Sequence, residues 1–110
     1  MVTEKLTKQV RRKLNITWND TETDARVAEI IESAIPYLVH KLGITDPEFD
    51  FSAPGMENTL FLACCLYEWN HASMDEFENN YHGTIANVRA RHEVAYYLEQ
   101  EADDNDQVEV

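Results

Sequence analysis

The side chains able to do chemistry are few and crowd into one stretch, CCLYEWNH. Cys64, Glu68 and His71 follow at spacings of four and three, which on a helix places a thiol, a carboxylate and an imidazole on one face. Such a trio could begin a metal site, and Glu78 with His82, also four apart, could extend it. No paired CxxC and no HExxH accompanies them, and buried cysteines beside surface histidines need no metal to explain them. The expectation is no metal ligand set and no cofactor.

Nucleophilic chemistry has only Cys64 or Cys65 with His71 or His92 to draw on. A thiol within the apolar run TLFLACCLYEW would have its pKa raised, whereas a nucleophile needs it lowered. The acidic pairs Asp75/Glu76 and Asp103/Asp104 lie in polar stretches, where solvated charge is the plain reading rather than a carboxylate dyad. Three glycines, at 43, 55 and 83, can write neither a P-loop nor a dinucleotide fingerprint. A non-enzymatic protein is expected.

Composition narrows the class. Only three Gly and three Pro in 110 residues argue against a turn-rich all-β fold. Mean hydropathy is −0.49 with 44% hydrophobic residues, which suits a single globular domain. No run approaches the roughly 18 apolar residues of a membrane span, and MVTEKLTKQVRRKL lacks the apolar centre of a signal peptide. Adjacent helical side chains diverge by about 100°, so a Cys64–Cys65 disulfide would be strained. Reduced thiols and synthesis in a reducing cytoplasm follow.

The net charge of −12 is unevenly placed. Residues 1–13 hold Lys5, Lys8, Arg11, Arg12 and Lys13 against Glu4, a balance of +4 that leaves −16 on the remainder. Most of the surface should therefore repel nucleic acid. A basic end can also meet an acidic neighbour head to tail, or sit as a solvated, dipole-matched face.

Four helical patterns must position these groups, giving an all-α fold: a small bundle of about four helices. Leu6, Val10 and Leu14 mark the first. The second runs from Thr23 or Asp24 to Leu42 on Val27, Ile30, Ile31, Ala34, Leu38 and Leu42, with Gly43 as its stop and Pro36 as a kink or tolerated break. In the loop 43–55, Phe49 and Phe51 are expected to pin the chain to the core, and Ser52 to cap a third helix opened by Pro54. That third helix, apolar on every side, should be central and buried. DEFENNY is either a short helical turn or an ordered loop. A last helix from Thr84 to Gln100 presents Ile85, Val88, His92, Ala95 and Tyr96. Residues 1–100 then form one helical domain, and 101–110 a flexible acidic tail.

The turn LNITWNDTETDARV joins the first two helices. Asp20, Thr21 and Thr23 compete to cap the second helix, and Thr21 with Asp24 has the spacing of a capping box. Trp18 is expected to fold back near Val27 as a core staple, an exposed anchor being the alternative.

Three stretches, in order, resemble the head–tail connector (adaptor, or head-completion) proteins of long-tailed bacteriophages and prophages. These are KLNITWNDTETDARVAEIIESA, LVHKLGI and YEWNHASMDEFENNYHGTIANVRARHEVA, and the resemblance as a whole covers about residues 3–98. The resemblance implies a virion structural protein that forms a ring, commonly twelve-fold, beneath the portal protein at the capsid vertex. Such a ring extends the DNA channel without binding DNA specifically, and docks a stopper or tail-completion protein. The chain would reside in the virion, and in the host cytoplasm during assembly. Portal contact would fall on the last helix at Tyr96, Tyr97 and Leu98. The basic patch Lys5, Lys8, Arg11, Arg12 and Lys13 would serve contacts between subunits, and Trp18, Thr21 and Asp24 would build the turn. EADDNDQVEV has no counterpart in the pattern. The competing reading from charge alone is a small acidic regulatory module that binds a protein or mimics DNA.

Overall fold

A computed structural model of the chain describes residues 2–108, with side chains to residue 102. Among them are five α-helices and no strand: α1 (Glu4–Lys13), α2 (Thr21–Lys41), α3 (Met56–Trp69), α4 (Met74–Asn80) and α5 (His82–Val108). The helix beyond the expected four is α4. Ser73 starts it by accepting the Glu76 N–H at 3.1 Å, and Phe77 anchors it with no exposure.

α1 opens on Thr3, whose hydroxyl oxygen accepts the Leu6 N–H at 3.1 Å, and it buries Leu6 and Val10. α2 opens on Asp20, not Thr21. The Asp20 carboxylate accepts the Thr23 N–H at 3.0 Å and the Thr23 hydroxyl at 2.6 Å, leaving Thr21 as merely the first helical residue. Those Thr23 bonds hold the Asp20 carboxyl below its usual range. A carboxylate carries a full charge to the helix's positive end, which a hydroxyl cannot match. Pro36 neither ends nor interrupts α2. The carbonyl it strands belongs to Glu32, and since both residues are exposed, water can satisfy it.

Three helices stop in one manner. Asn15 (φ 58°), Gly43 (φ 64°) and His71 (φ 59°) take the left-handed conformation just beyond α1, α2 and α3. The following residue then folds back: Ile16 N–H to the Arg11 carbonyl (2.9 Å), Ile44 to Val39 (3.0 Å) and Ala72 to Tyr67 (2.9 Å). Ile16 and Ile44 are thereby buried against the core. Only the glycine announced its stop in the sequence. Asparagine tolerates this conformation through local hydrogen bonding, and histidine takes it at a cost of about 1 kcal/mol.

α3 touches each of the other four helices, and Leu60, Phe61, Ala63, Cys64 and Cys65 are buried in it. It is central, and Glu68, the one charge in the run from Leu60 to Trp69, reaches the surface side and accepts the Ser33 hydroxyl at 3.0 Å. Phe51, 1% exposed, stacks on Phe61 with ring centroids 5.0 Å apart, and Phe49 meets Phe51 edge-on. Both aromatics pin the loop as expected. Ser52 does not cap α3. It is buried, its hydroxyl donates to Asp50 within the loop, and α3 begins later, after Gly55.

The expected boundary at residue 100 does not interrupt the last helix. EADDNDQV contains no Gly or Pro to stop a helix, and α5 continues through Val108. Residues 109–110 of the expected tail lie outside the described residues. With α5 included the molecule measures 60 × 29 × 19 Å.

Candidate functional site

Three of the arginines grip backbone carbonyls at helix ends or turns. Arg11 donates to the Trp18 carbonyl, to Asn19 and, at 2.7 Å, to Asp24. Arg26 donates to the Trp69 carbonyl at 2.6 Å and lies 4.4 Å over the Trp69 ring. Arg89 donates to the His40 and Lys41 carbonyls at 3.0 and 3.1 Å, where the end of α2 is negative.

Arg89 is also half of what ties α5 down. It binds Glu93 at 2.8 Å along its own helix, while His92 Nε2 lies 3.0 Å from a Glu57 carboxylate oxygen near the start of α3. Phe49 packs edge-to-face on the His92 ring. Between these, Ile85 is partly buried and Val88 is 1% exposed. Beyond them the bundle ends, and every residue from Glu93 to Ala102 is exposed. Ala95 and Tyr96, expected to continue the packed stripe, have nothing left to pack against.

That projecting half carries exposed apolar side chains. At about 100° per residue, Ala90, Val94, Tyr97 and Leu98 recur on one face, roughly opposite the face of Ile85, Val88 and His92. Val94, Tyr97 and Leu98 are 58%, 63% and 57% exposed. The three residues predicted for portal contact are thus divided. Tyr97 and Leu98 share this outer stripe, and Tyr96 lies on the inward side.

The basic patch is divided too. Lys5, Lys8 and Arg12 point outward from α1, and Lys8 meets Glu4 at 3.4 Å in an exposed pair that contributes little. Lys13 is exposed toward the α3 side, near Asn58 and Leu62. Arg11 is only 19% exposed and is committed to the turn, so it belongs to the fold rather than to an outward patch. Its partner Asp24 joins α1 to α2 and takes no part in a capping box.

Trp18 departs from its expected role. It is 47% exposed, and its ring N–H donates to the Thr23 hydroxyl at 3.0 Å. Ile16, 6% exposed, supplies the apolar anchor instead, because the stop at Asn15 turns it inward and leaves Trp18 outside.

Of the chemistry-bearing residues, Glu68 and His71 line one open surface pocket with Arg26, Glu29 and Ser33, and Cys64 is not part of that lining. Cys64 is fully buried with its sulfur 4.0 Å from that of Met74, Glu68 faces Ser33, and His71 Nε2 lies 3.1 Å from Arg26. No group of three His, Cys, Asp or Glu side chains among the described residues is placed to hold a metal. Burial pushes the Cys64 thiol up to about 12, with Glu68 adding to the shift, and pushes Cys65 further in the same direction. Both thiols are therefore protonated near neutrality. No helix among the described residues is long and apolar enough to cross a membrane.

Comparison with protein-family models, curated proteins and solved structures finds no match.

Proposed function

We propose that this chain is a virion structural protein, a head–tail connector adaptor that adds as a ring to a portal protein, extends its DNA channel and receives a stopper or tail-completion protein. The observation that carries the reading is the projecting half of α5. It is a helix tied to the bundle at its base by Arg89 and His92, with Val94, Tyr97 and Leu98 exposed and open to a partner. The resemblance to the adaptor family, carried in part by DEFENNYHGTIANVRAR just ahead of this half, implies portal contact on the last helix at Tyr96, Tyr97 and Leu98.

Two further features support it. The outward face of α1 carries Lys5, Lys8 and Arg12, while the rest of the chain is strongly acidic, so neighbouring copies can attract one another heterologously around a ring. An acidic channel wall also slides past DNA without trapping the phosphate backbone. The role needs no active site. Assembly would place the chain at the capsid vertex, having begun in the host cytoplasm.

Negative-stain imaging of the chain mixed with the portal protein of its own genome tests the reading. Added ring density beneath the portal is expected, reduced when Tyr97 and Leu98 are changed to aspartate. Portals that never acquire density overturn it. Displacement of DNA from a basic partner would instead favour the acidic regulatory module.

A further inference from the structure

The outer stripe of α5 has no cover within one chain, and the charges along the helix point to what covers it. We infer that in the free protein two copies pair stripe to stripe, α5 against α5, antiparallel about a two-fold axis near Tyr96. The inference uses the surface assigned above to portal contact but does not depend on that assignment.

Geometry permits the pairing. The stripe faces away from the bundle, so two stripes can meet with the bundles on the outer sides of the pair. An isologous contact of this kind closes on itself and leaves no free end.

Charge selects the direction. Arg89 and Arg91 are the only Lys or Arg residues of α5, and both lie in its anchored half. The stretch 99–106 holds five acidic residues (Glu99, Glu101, Asp103, Asp104 and Asp106) and no basic one. A parallel pair would stack these acidic ends together; an antiparallel pair lays each acidic end toward the other copy's Arg91. Arg91 is exposed and forms no ion pair among the described residues, whereas Arg89 is already engaged.

The register follows. Arg91 and Glu101 each lie five residues from position 96, so the two-fold axis sets Arg91 of either copy beside Glu101 of the other. The same operation sets Val94 beside Leu98, closing the stripe between two ion pairs. Four apolar side chains per copy fall well short of the roughly 800 Å² per partner of a standard interface. The pair is therefore weak and concentration-dependent, and a partner with a better groove can displace the second copy.

Sedimentation equilibrium of the full chain, from micromolar to millimolar concentration, tests this. The mass should rise from 12.8 kDa toward twice that value. Val94→Asp and Leu98→Asp, at exposed positions, should keep the helical circular dichroism and melting temperature while weakening association by about tenfold or more. Arg91→Glu and Glu101→Arg should each weaken it, and combining them should restore it.

A chain that remains at monomer mass at millimolar concentration overturns the inference, as does a dimer indifferent to Leu98→Asp. Failure of the Arg91/Glu101 exchange to restore pairing overturns the antiparallel register. Open-ended growth beyond the dimer, abolished by Lys8→Glu with Arg12→Glu, would assign the contact to α1 instead. Rings on the portal without a free dimer would remove this inference alone; a free dimer that never binds the portal would remove only the proposed function.

Discussion

The two halves of α5 are one helix under different rules. From His82 to His92 it packs: Ile85 and Val88 meet the core, and Arg89 and His92 bridge to α2 and α3. From Glu93 onward all described side chains face water, and the apolar stripe changes sides. A helix whose apolar face switches sides cannot satisfy both stretches against the same bundle. The first stretch packs on the bundle, whereas the described side chains of the second have no cover within one chain. Burial against the same chain, rather than hydrophobicity, separates the two stretches.

Substitutions can break or sharpen that contrast. The largest effect should come from the core: Phe61→Ala removes a fully buried ring stacked on Phe51 and should cost about 3–5 kcal/mol, measured by urea unfolding. If it cost no more than a change in the projecting half, the division would fail. At the base of α5, Arg89→Ala loses its bonds to the His40 and Lys41 carbonyls and should cost about 1 kcal/mol, allowing for its exposure. Amide exchange should then quicken in α5 while the α2–α3 core stays protected; uniform quickening would deny Arg89 its anchoring role.

Trp18→Ala should also cost about 1 kcal/mol, since half the ring is already in water. A loss several times larger would return Trp18 to the core. Smallest is Leu98→Ala, expected within about 0.5 kcal/mol of the parent by thermal unfolding of the dilute chain. A marked loss there would mean the projecting half does pack on its own bundle.

The cap of α2 provides a pH test. The folded pKa of Asp20 is depressed by its bonds from Thr23, so its contribution is present above the unfolded carboxylate range and is lost as pH falls through the folded value. The melting temperature should therefore decline on acidification below about pH 4. Asp20→Asn, which keeps a capping oxygen without titrating, should show a shallower decline.

Much of the bundle was legible beforehand. The spacing of Leu6, Val10 and Leu14, and of Val27 through Leu38, places the buried faces of α1 and α2 correctly, because a helix turns at a constant rate and apolar residues mark its inner side. Gly43 marks its own stop because only glycine enters the left-handed region freely. The same stop at Asn15 and His71 left no comparable mark, and the first of them put Ile16 in the core and Trp18 outside it. The Asp20 cap was one of three candidates, since Asp, Thr and Thr all satisfy the local rule and only geometry chooses. The anchors of α5 were half visible: Arg89 and Glu93 have the spacing of a helical ion pair. Nothing local signals that Arg89 crosses to carbonyls nearly fifty residues earlier, or that His92 meets Glu57.

By itself the sequence determines the all-helical class, the inward stripes of the first two helices, the apolar third helix and the separation of basic and acidic ends. These follow from residue type and from periodicities within a few turns. The tertiary structure alone decides where the bundle stops supporting α5, and hence that Val88 is interior while Val94 and Leu98 lie outside. It alone decides which arginines are engaged and which, like Arg12 and Arg91, remain outward. Those outcomes depend on which distant backbone lies alongside each side chain, and an apolar residue reads the same in one dimension whether its partner is its own chain or another.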